Sequence, residues 1–516
     1  MNHWLILPIL LPAIVAALLA LAVRHDIVLA RTFSLGTMVC LVVLGMIQLG
    51  ASCDGTVRTY ALGNWPAPFG IVLVLDRLSA LMLLLTSVLG LVVLLYAVNG
   101  CDRQGAHFHP LFLFQLTGLN GAFLTGDLFN LFVFFEVLLI ASYGLMVHGG
   151  GGERTRAGIQ YVVVNLVASS IFLLALALIY GVTGTLNMAD FARRVTSVPP
   201  ADQAILAAGT MLLLVVFGIK SAVVPLHFWL PGTYSNAAGP VVALFAIMTK
   251  VGVYAIIRVF LLAYSDPNAQ QAFAAADWLL PGAVVTLVLG AIGVLAASRI
   301  SQQASFLALA SMGTLLIAVS IFTPPGIAAA LYYLLHSTLA VAALFLLVDA
   351  IQVRRGAFGD SLVLAPRFEH AGLLAASFFI TVVAVVGLPP LSGFVGKLLI
   401  LDAVSNSAYW VLLWTAILLT SLLMLIAMAL SGSLVFWKSG QVADRLEGAG
   451  IPPITMPMVA IGSILAVLVL LTGFSGLVTI FLDQTAAQLF APDQYIEAVL
   501  GETLDTLTVL ELELHP

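Results

Sequence analysis

The decapeptide Leu131-Phe132-Val133-Phe134-Phe135-Glu136-Val137-Leu138-Leu139-Ile140 carries a single ionisable side chain in otherwise apolar surroundings. The apolar run around it covers 128–147 and holds no other charge. A helix of about 20 such residues crosses the roughly 30 Å hydrocarbon layer of a bilayer. Glu136 stands eight residues into the run. At about 1.5 Å per residue that is some 12 Å deep, near the midplane.

The rest of the chain is of the same kind. Of its 516 residues, 62% are hydrophobic and only 8% charged, against roughly 25% charged in soluble proteins. A soluble fold of this size has no means of hiding so much apolar surface. A water-soluble enzyme, a DNA-binding protein and a disordered chain are excluded. The net charge of −5 gives no reason to expect a nucleic-acid partner. The three cysteines, Cys40, Cys53 and Cys101, have no metal or redox spacing, and no disulfide is expected. No GxGxxG, P-loop or HExxH motif occurs, so no cofactor is expected. The N-terminus lacks a basic region and a clear cleavage site, so its first apolar run reads as a retained span.

Fourteen apolar runs suggest an all-α polytopic membrane protein. They are 4–23, 32–50, 72–98, 110–125, 128–147, 158–181, 204–231, 239–264, 277–297, 303–322, 326–350, 371–403, 408–437 and 455–482. The seventh and twelfth are too long for one straight span, and both contain proline, so both read as broken helices. The whole of 1–516 reads as one membrane domain. Residues 4–109 hold helices 1–3. Residues 110–264 and 277–437 hold helices 4–8 and 9–13, a candidate pair of inverted five-helix repeats. Helix 14 occupies 455–482, and 483–516 reads as an acidic external tail with Asp493, Glu497, Glu502, Asp505, Glu511 and Glu513. One alternating set of loops holds Arg24, Arg31, Arg103, Arg154, Arg156, Arg299, Arg354, Arg355, Arg367, Lys438 and Arg445. The other holds Arg58, Arg77, Arg193, Arg194 and Arg258. The richer set should face the cytoplasm, which puts both termini outside.

The basic residues are 15 arginines and four lysines. Three lysines, Lys220, Lys250 and Lys397, fall inside apolar runs, whereas the arginines are expected in loops or near helix ends. Arginine keeps its proton and lysine can release it, so a proton carrier should be lysine. Lys250 lies about 16 Å into its span and His336 about 15 Å into segment 11. Asp76 and Asp349 lie near span ends and read as solvated or structural. An ionised group at mid-bilayer costs about 2.5–3.5 kcal/mol on insertion scales. Groups at similar depth should therefore face one another or water. Pro225, Pro389 and Pro390 break intrahelical hydrogen bonds, and free carbonyls at that depth survive only beside polar groups or water. A line Glu136–Lys220–Lys250–His336–Lys397 would pass protons by shifting one charge pair.

These residues carry a resemblance. The chain resembles the antiporter-like subunits shared by respiratory NADH:quinone oxidoreductase, membrane hydrogenases and Mrp (Pha) cation/proton antiporters. The matching stretches are Phe135-Glu136, Lys220 with Pro225-Leu226-His227-Phe228-Trp229-Leu230-Pro231, Thr249-Lys250-Val251-Gly252-Val253-Tyr254, and Leu391-Ser392-Gly393-Phe394-Val395-Gly396-Lys397. Within that family it looks most like the D subunits of the Mrp/Pha antiporters. Gly184-Thr185-Leu186-Asn187-Met188-Ala189-Asp190 and Leu230-Pro231-Gly232-Thr233-Tyr234 suggest this. The resemblance implies fourteen helices with inverted repeats, in a large assembly of other antiporter subunits in the bacterial inner membrane. Protons and monovalent cations would be the species moved. It makes Glu136 and Lys220 the charge pair, Lys250 the central relay and Lys397 the exit-side group. Two departures stand out: Ala310-Ser311-Met312-Gly313 lacks the histidine many relatives carry there, and His336 is followed by Ala340 rather than lysine. A pump subunit of a redox complex is the alternative reading. A self-sufficient carrier of an organic solute would need a substrate pocket that the sequence does not offer. A sodium or potassium site is not assigned, because one intramembrane glutamate is a thin basis for it.

Overall fold

The computed structural model describes residues 3–23, 25–264, 275–441 and 452–501. Arg24, Arg445, Glu502, Asp505, Glu511 and Glu513 lie outside the described residues. The described chain is helical apart from one antiparallel ribbon, β1 (Arg58–Ala61) with β2 (Val72–Leu75), in which Arg58 faces Leu75. Eleven of its helices are long and apolar enough to cross a membrane.

The centre is formed by α3 (Arg77–Ala97), α10 (Gly239–Tyr264), α12 (Ile300–Ser320) and α13 (Pro324–Arg355). Every residue of α10 is buried. Small residues let the backbones close in: a Cβ on Gly252 would sit 2.4 Å from Ser221 Oγ, and one on Gly313 2.4 Å from Leu287 N. Around this centre lie α1 (Leu7–Leu21), α2 (Ile27–Ser52), α4 (Phe108–Leu124), α5 (Leu128–Met146), α6 (Gly152–Thr183), α8 (Gln203–Lys220), α11 (Ala275–Ala296), α14 (Ala371–Val386), α16 (Trp410–Gly432) and α17 (Thr455–Gly473). The outer helices turn large apolar side chains outward, among them Ile47, Ile140, Leu174, Leu422 and Leu470. Such continuous apolar exposure suits lipid or partner chains rather than water.

Proline carbonyl partners tie the first helix in. Pro8 and Pro12 leave the carbonyls of Trp4 and Pro8 without their usual i+4 donor. Gln48 Nε2 on α2 donates to the first at 3.3 Å and Asn120 Nδ2 on α4 to the second at 2.8 Å.

The runs 204–231 and 371–403 are each two helices. The first is α8 followed by α9 (Trp229–Asn236), and the second is α14 followed by α15 (Ser392–Ala403). Both upper halves end the same way. A left-handed residue, Ala222 (φ +54°) or Gly387 (φ +84°), turns the chain. The next amide reaches back five residues, Val223 to Gly218 at 2.9 Å and Leu388 to Val383 at 3.0 Å.

Three expectations need correction. The run 455–482 is not one helix: α17 ends at Gly473, and α18 (Ser475–Leu489) begins after Phe474. Residues 483–500 are not a tail separate from the helices, because α18 and α19 (Asp493–Leu500) pack through Leu482, Ala486, Leu489, Tyr495 and Val499. Arginines do not keep to loops and helix ends: Arg258 lies six residues inside α10, buried, with Nη1 and Nη2 at 2.5 and 2.8 Å from Asp76. Asp76, the N-cap of α3, is structural, and a buried guanidinium is tolerable only with such a partner. The short helix α7 (Met188–Val195), capped by Asn187, had no counterpart among the apolar runs because it is only eight residues long and amphipathic, with Asp190, Arg193 and Arg194 among its apolar residues.

Candidate proton-relay site

Glu136 projects from the middle of α5 and is half-buried, on a side flanked by the exposed Val133 and Ile140. Its Oε1 accepts a hydrogen bond from Ser169 Oγ on α6. Lys220 is the last residue of α8, buried where the helix breaks, and its Nζ donates to Asn165 Oδ1 at 2.9 Å. Asn165 in turn donates to Tyr161 O at 2.8 Å. Tyr161, Asn165 and Ser169 are buried at four-residue steps and so share one face of α6. Among the described residues no ion pair joins Glu136 to Lys220. The two are held on neighbouring turns of the same helix.

A cavity of about 20 Å³ lies against Lys220, lined by Leu138, Leu139, Tyr161, Asn165, Met248 and Val251. That is room for about one water. Met248 and Val251 flank Lys250 in sequence on α10, which packs against both α8 and α13. Lys250 is 1% exposed, and among the described residues it makes no ion pair.

The second cluster surrounds the other break. His336 is buried on α13, with Nδ1 2.9 Å from Ser392 Oγ at the start of α15. A Cβ on Gly393 would meet Ala384 O at 2.0 Å and His336 Nε2 at 2.8 Å, so the glycine is what lets α15 approach. Lys397, one turn further along α15, donates to Val386 O at 2.6 Å and Ser421 Oγ on α16 at 2.7 Å. Val386 is the last residue of α14, so its carbonyl has no donor within the helix. The lysine therefore caps a carbonyl at the end of α14. At the first break Trp229 Nε1 donates to Ile219 O at 3.0 Å, a carbonyl in the last turn of α8.

The five residues singled out in the sequence thus occupy two hydrogen-bonded clusters at the two helix breaks, with Lys250 in the wholly buried helix between. Sequence reasoning missed Asn165, Ser169, Ser392 and Ser421. The four-residue polar spacing on α6 was the available signal for the first two. Among the described residues no group of three or more His, Cys, Asp or Glu side chains is placed to hold a metal ion.

Residues 125–441 match the family model described as NADH:quinone oxidoreductase/Mrp antiporter, TM. The chain is 40% identical to the D subunit of a probable K(+)/H(+) antiporter of Rhizobium meliloti (strain 1021), across 97% of this chain and 98% of that one. It is 36% identical to the D subunit of a Na(+)/H(+) antiporter of Bacillus subtilis (strain 168), across 97% and 100%. Its fold is similar to that of a chain in the Mrp complex from Dietzia sp. DQ12-45-1b, with TM-score 0.84, 29% identity and 97% and 100% coverage. A chain of respiratory complex I from Thermus thermophilus is similar at TM-score 0.74, 26% identity and 96% and 100% coverage. Two buried lysines at broken helices, a third between them and a matching sequence over nearly the whole length agree: the chain belongs to the NADH:quinone oxidoreductase/Mrp antiporter transmembrane family, with the D subunits of cation/proton antiporters among its relatives.

Proposed function

We propose that this chain is the proton-translocating subunit of a multisubunit Na⁺ or K⁺/H⁺ antiporter, and that protons move along Glu136, Lys220, Lys250, His336 and Lys397. One observation carries the reading. Lys220, Lys250 and Lys397 are buried, and none is in an ion pair among the described residues. The acceptors of Lys220 and Lys397 are neutral oxygens, which take a hydrogen bond from an ammonium and from an amine alike. A structural cation in lipid needs a counter-ion, whereas a carrier that changes charge does better without a permanent one.

The half-exposed Glu136 supports an assembly. A carboxylate on the outer side of a transmembrane helix is costly against lipid, so another subunit is expected to cover it. Segments 4–8 and 9–13 would be inverted repeats, each contributing one broken helix. The arginine-rich loops would lie in the bacterial cytoplasm and both termini outside. Relatives named as antiporter subunits at 36–40% identity favour this reading over a redox pump.

The test substitutes Glu136 by Gln in the assembled complex and measures cation-driven proton flux in vesicles. Flux should be lost with assembly intact. Full flux would overturn the residue line.

A further inference from the structure

A large cavity lies away from the lysines. It has a volume of about 770 Å³ and opens between the ends of α3, α6, α9, α13 and α17. The loops with Gly100–Gln104 and Gly150–Arg154 surround it. Among its lining residues is Asp349, on α13. The carboxylate accepts from Tyr96 Oη at 2.8 Å through Oδ2 and from the Gly239 amide at 3.3 Å through Oδ1. Gly239 opens α10, and a Cβ there would lie 2.3 Å from Asp349 Cβ, so the contact needs glycine. The first amides of a helix have no internal partners and carry partial positive charge, which suits a carboxylate.

We infer that Asp349 is the group through which the lysine line exchanges protons with this vestibule. The inference rests on the proton-relay reading above. Asp349 touches water-accessible space on one side and the end of the Lys250 helix on the other. Lys250 lies eleven residues along α10, about 16 Å by helical rise. His336 lies thirteen residues back on α13, about 20 Å by the same rise. The hydroxyls of Tyr234, donating to Phe245 O at 2.7 Å, and of Thr249 lie along the α10 side of that interval.

The charged neighbours do not neutralise Asp349 permanently. Arg154 donates to Asn236 O at 2.9 Å and to His148 O. Arg354 donates to Ala350 O at 3.2 Å and Pro452 O at 3.3 Å. Tyr96 and Cys101 are the other titratable groups beside it. Among the described residues Asp349 has no ion pair, so it can hold or release a proton without breaking one. In the step itself, vestibule water gives a proton to the carboxylate. The new O–H bond then breaks as water inside passes the proton towards the Lys250 amine.

A purely structural Asp349 would only tie α10 to α3 and α13. Asp349→Asn separates the two roles, because the amide oxygen still accepts from Gly239 N but carries no proton. The experiment reconstitutes the whole complex in vesicles with wild type, D349N, D349E and, as reference, E136Q. We expect D349N to assemble normally and lose at least tenfold in cation-driven proton flux. D349E should regain most of the flux with a displaced pH profile. Full flux in D349N, with E136Q inactive, overturns this inference and leaves the relay reading standing. Full flux in E136Q overturns the relay itself. Where D349N fails to assemble, the D349E profile decides: a wild-type pH profile overturns the role, and a displaced one supports it.

Discussion

Asn165 and Ser169 stand one turn apart on α6, and between them they hold Lys220 and Glu136. The two ionisable groups are therefore positioned by one short polar stripe, with no ion pair between them among the described residues.

The stripe makes Asn165 a positioning residue. Asn165→Leu removes the acceptor of Lys220 in a buried site, at a cost of about 1–3 kcal/mol. Proton flux should fall about tenfold while the purified complex keeps its composition. Wild-type flux from N165L would show that Lys220 works without its partner on α6.

Lys250→Arg keeps the positive charge and removes the ability to shed it. Flux should drop about a hundredfold in the assembled complex. Normal transport from assembled K250R would mean that the central lysine is only structural.

Gly393→Ala tests the second cluster by packing alone. The new methyl would lie 2.0 Å from a backbone oxygen that has no freedom to leave. Overpacking of this kind costs about 1–3 kcal/mol or more. The melting temperature of the complex should drop, and flux should drop with it, because His336 must shift. An unchanged melting temperature would argue against the close approach of α15 to α14 and α13.

Outside the membrane, Asp102 in the loop between α3 and α4 supplies a pH dependence. Burial pushes its carboxyl up, but His109 at 3.2 Å and Arg31 at 2.6 and 2.8 Å outweigh burial and hold it down to about 2. An unfolded aspartate titrates near 3.9 (about 4). A depressed carboxyl adds stability above the unfolded value and loses it as pH falls through the folded one. Hydrogen-exchange protection in 98–107, corrected for the intrinsic exchange rate, should therefore fall between about pH 4 and pH 2. D102N should abolish that dependence; if it leaves the loss of protection intact, another carboxylate is responsible.

The sequence made some of this visible and not the rest, for physical reasons. Glu136, Lys220, Lys250 and Lys397 stood out because a charge in an apolar run is costly enough to be informative by itself. The breaks were legible because Pro225, Pro389 and Pro390 lack the amide a helix needs. Arg258 was misplaced because its partner, Asp76, is 182 positions away and pairing at that distance leaves no local trace. Ser421 was invisible because intramembrane serines commonly bond their own helix, as this one does with Ile417 O at 2.7 Å. The division between α17 and α18 went unread because no proline marks it; Phe474 adopts φ −102°, ψ 18° between two helices that are both apolar. The vestibule around Asp349 is assembled from five helices and has no signature in any one of them.

Lys397 supplies the hydrogen bond to Val386 O, a carbonyl that the end of α14 leaves without a helical donor. The lysine cannot swing away without leaving a bare oxygen in a dry interior, at about 1–3 kcal/mol. The side chain is thus a latch on the joint between α14 and α15. Any movement of the Lys397 side chain and the flexing of that joint are therefore one motion.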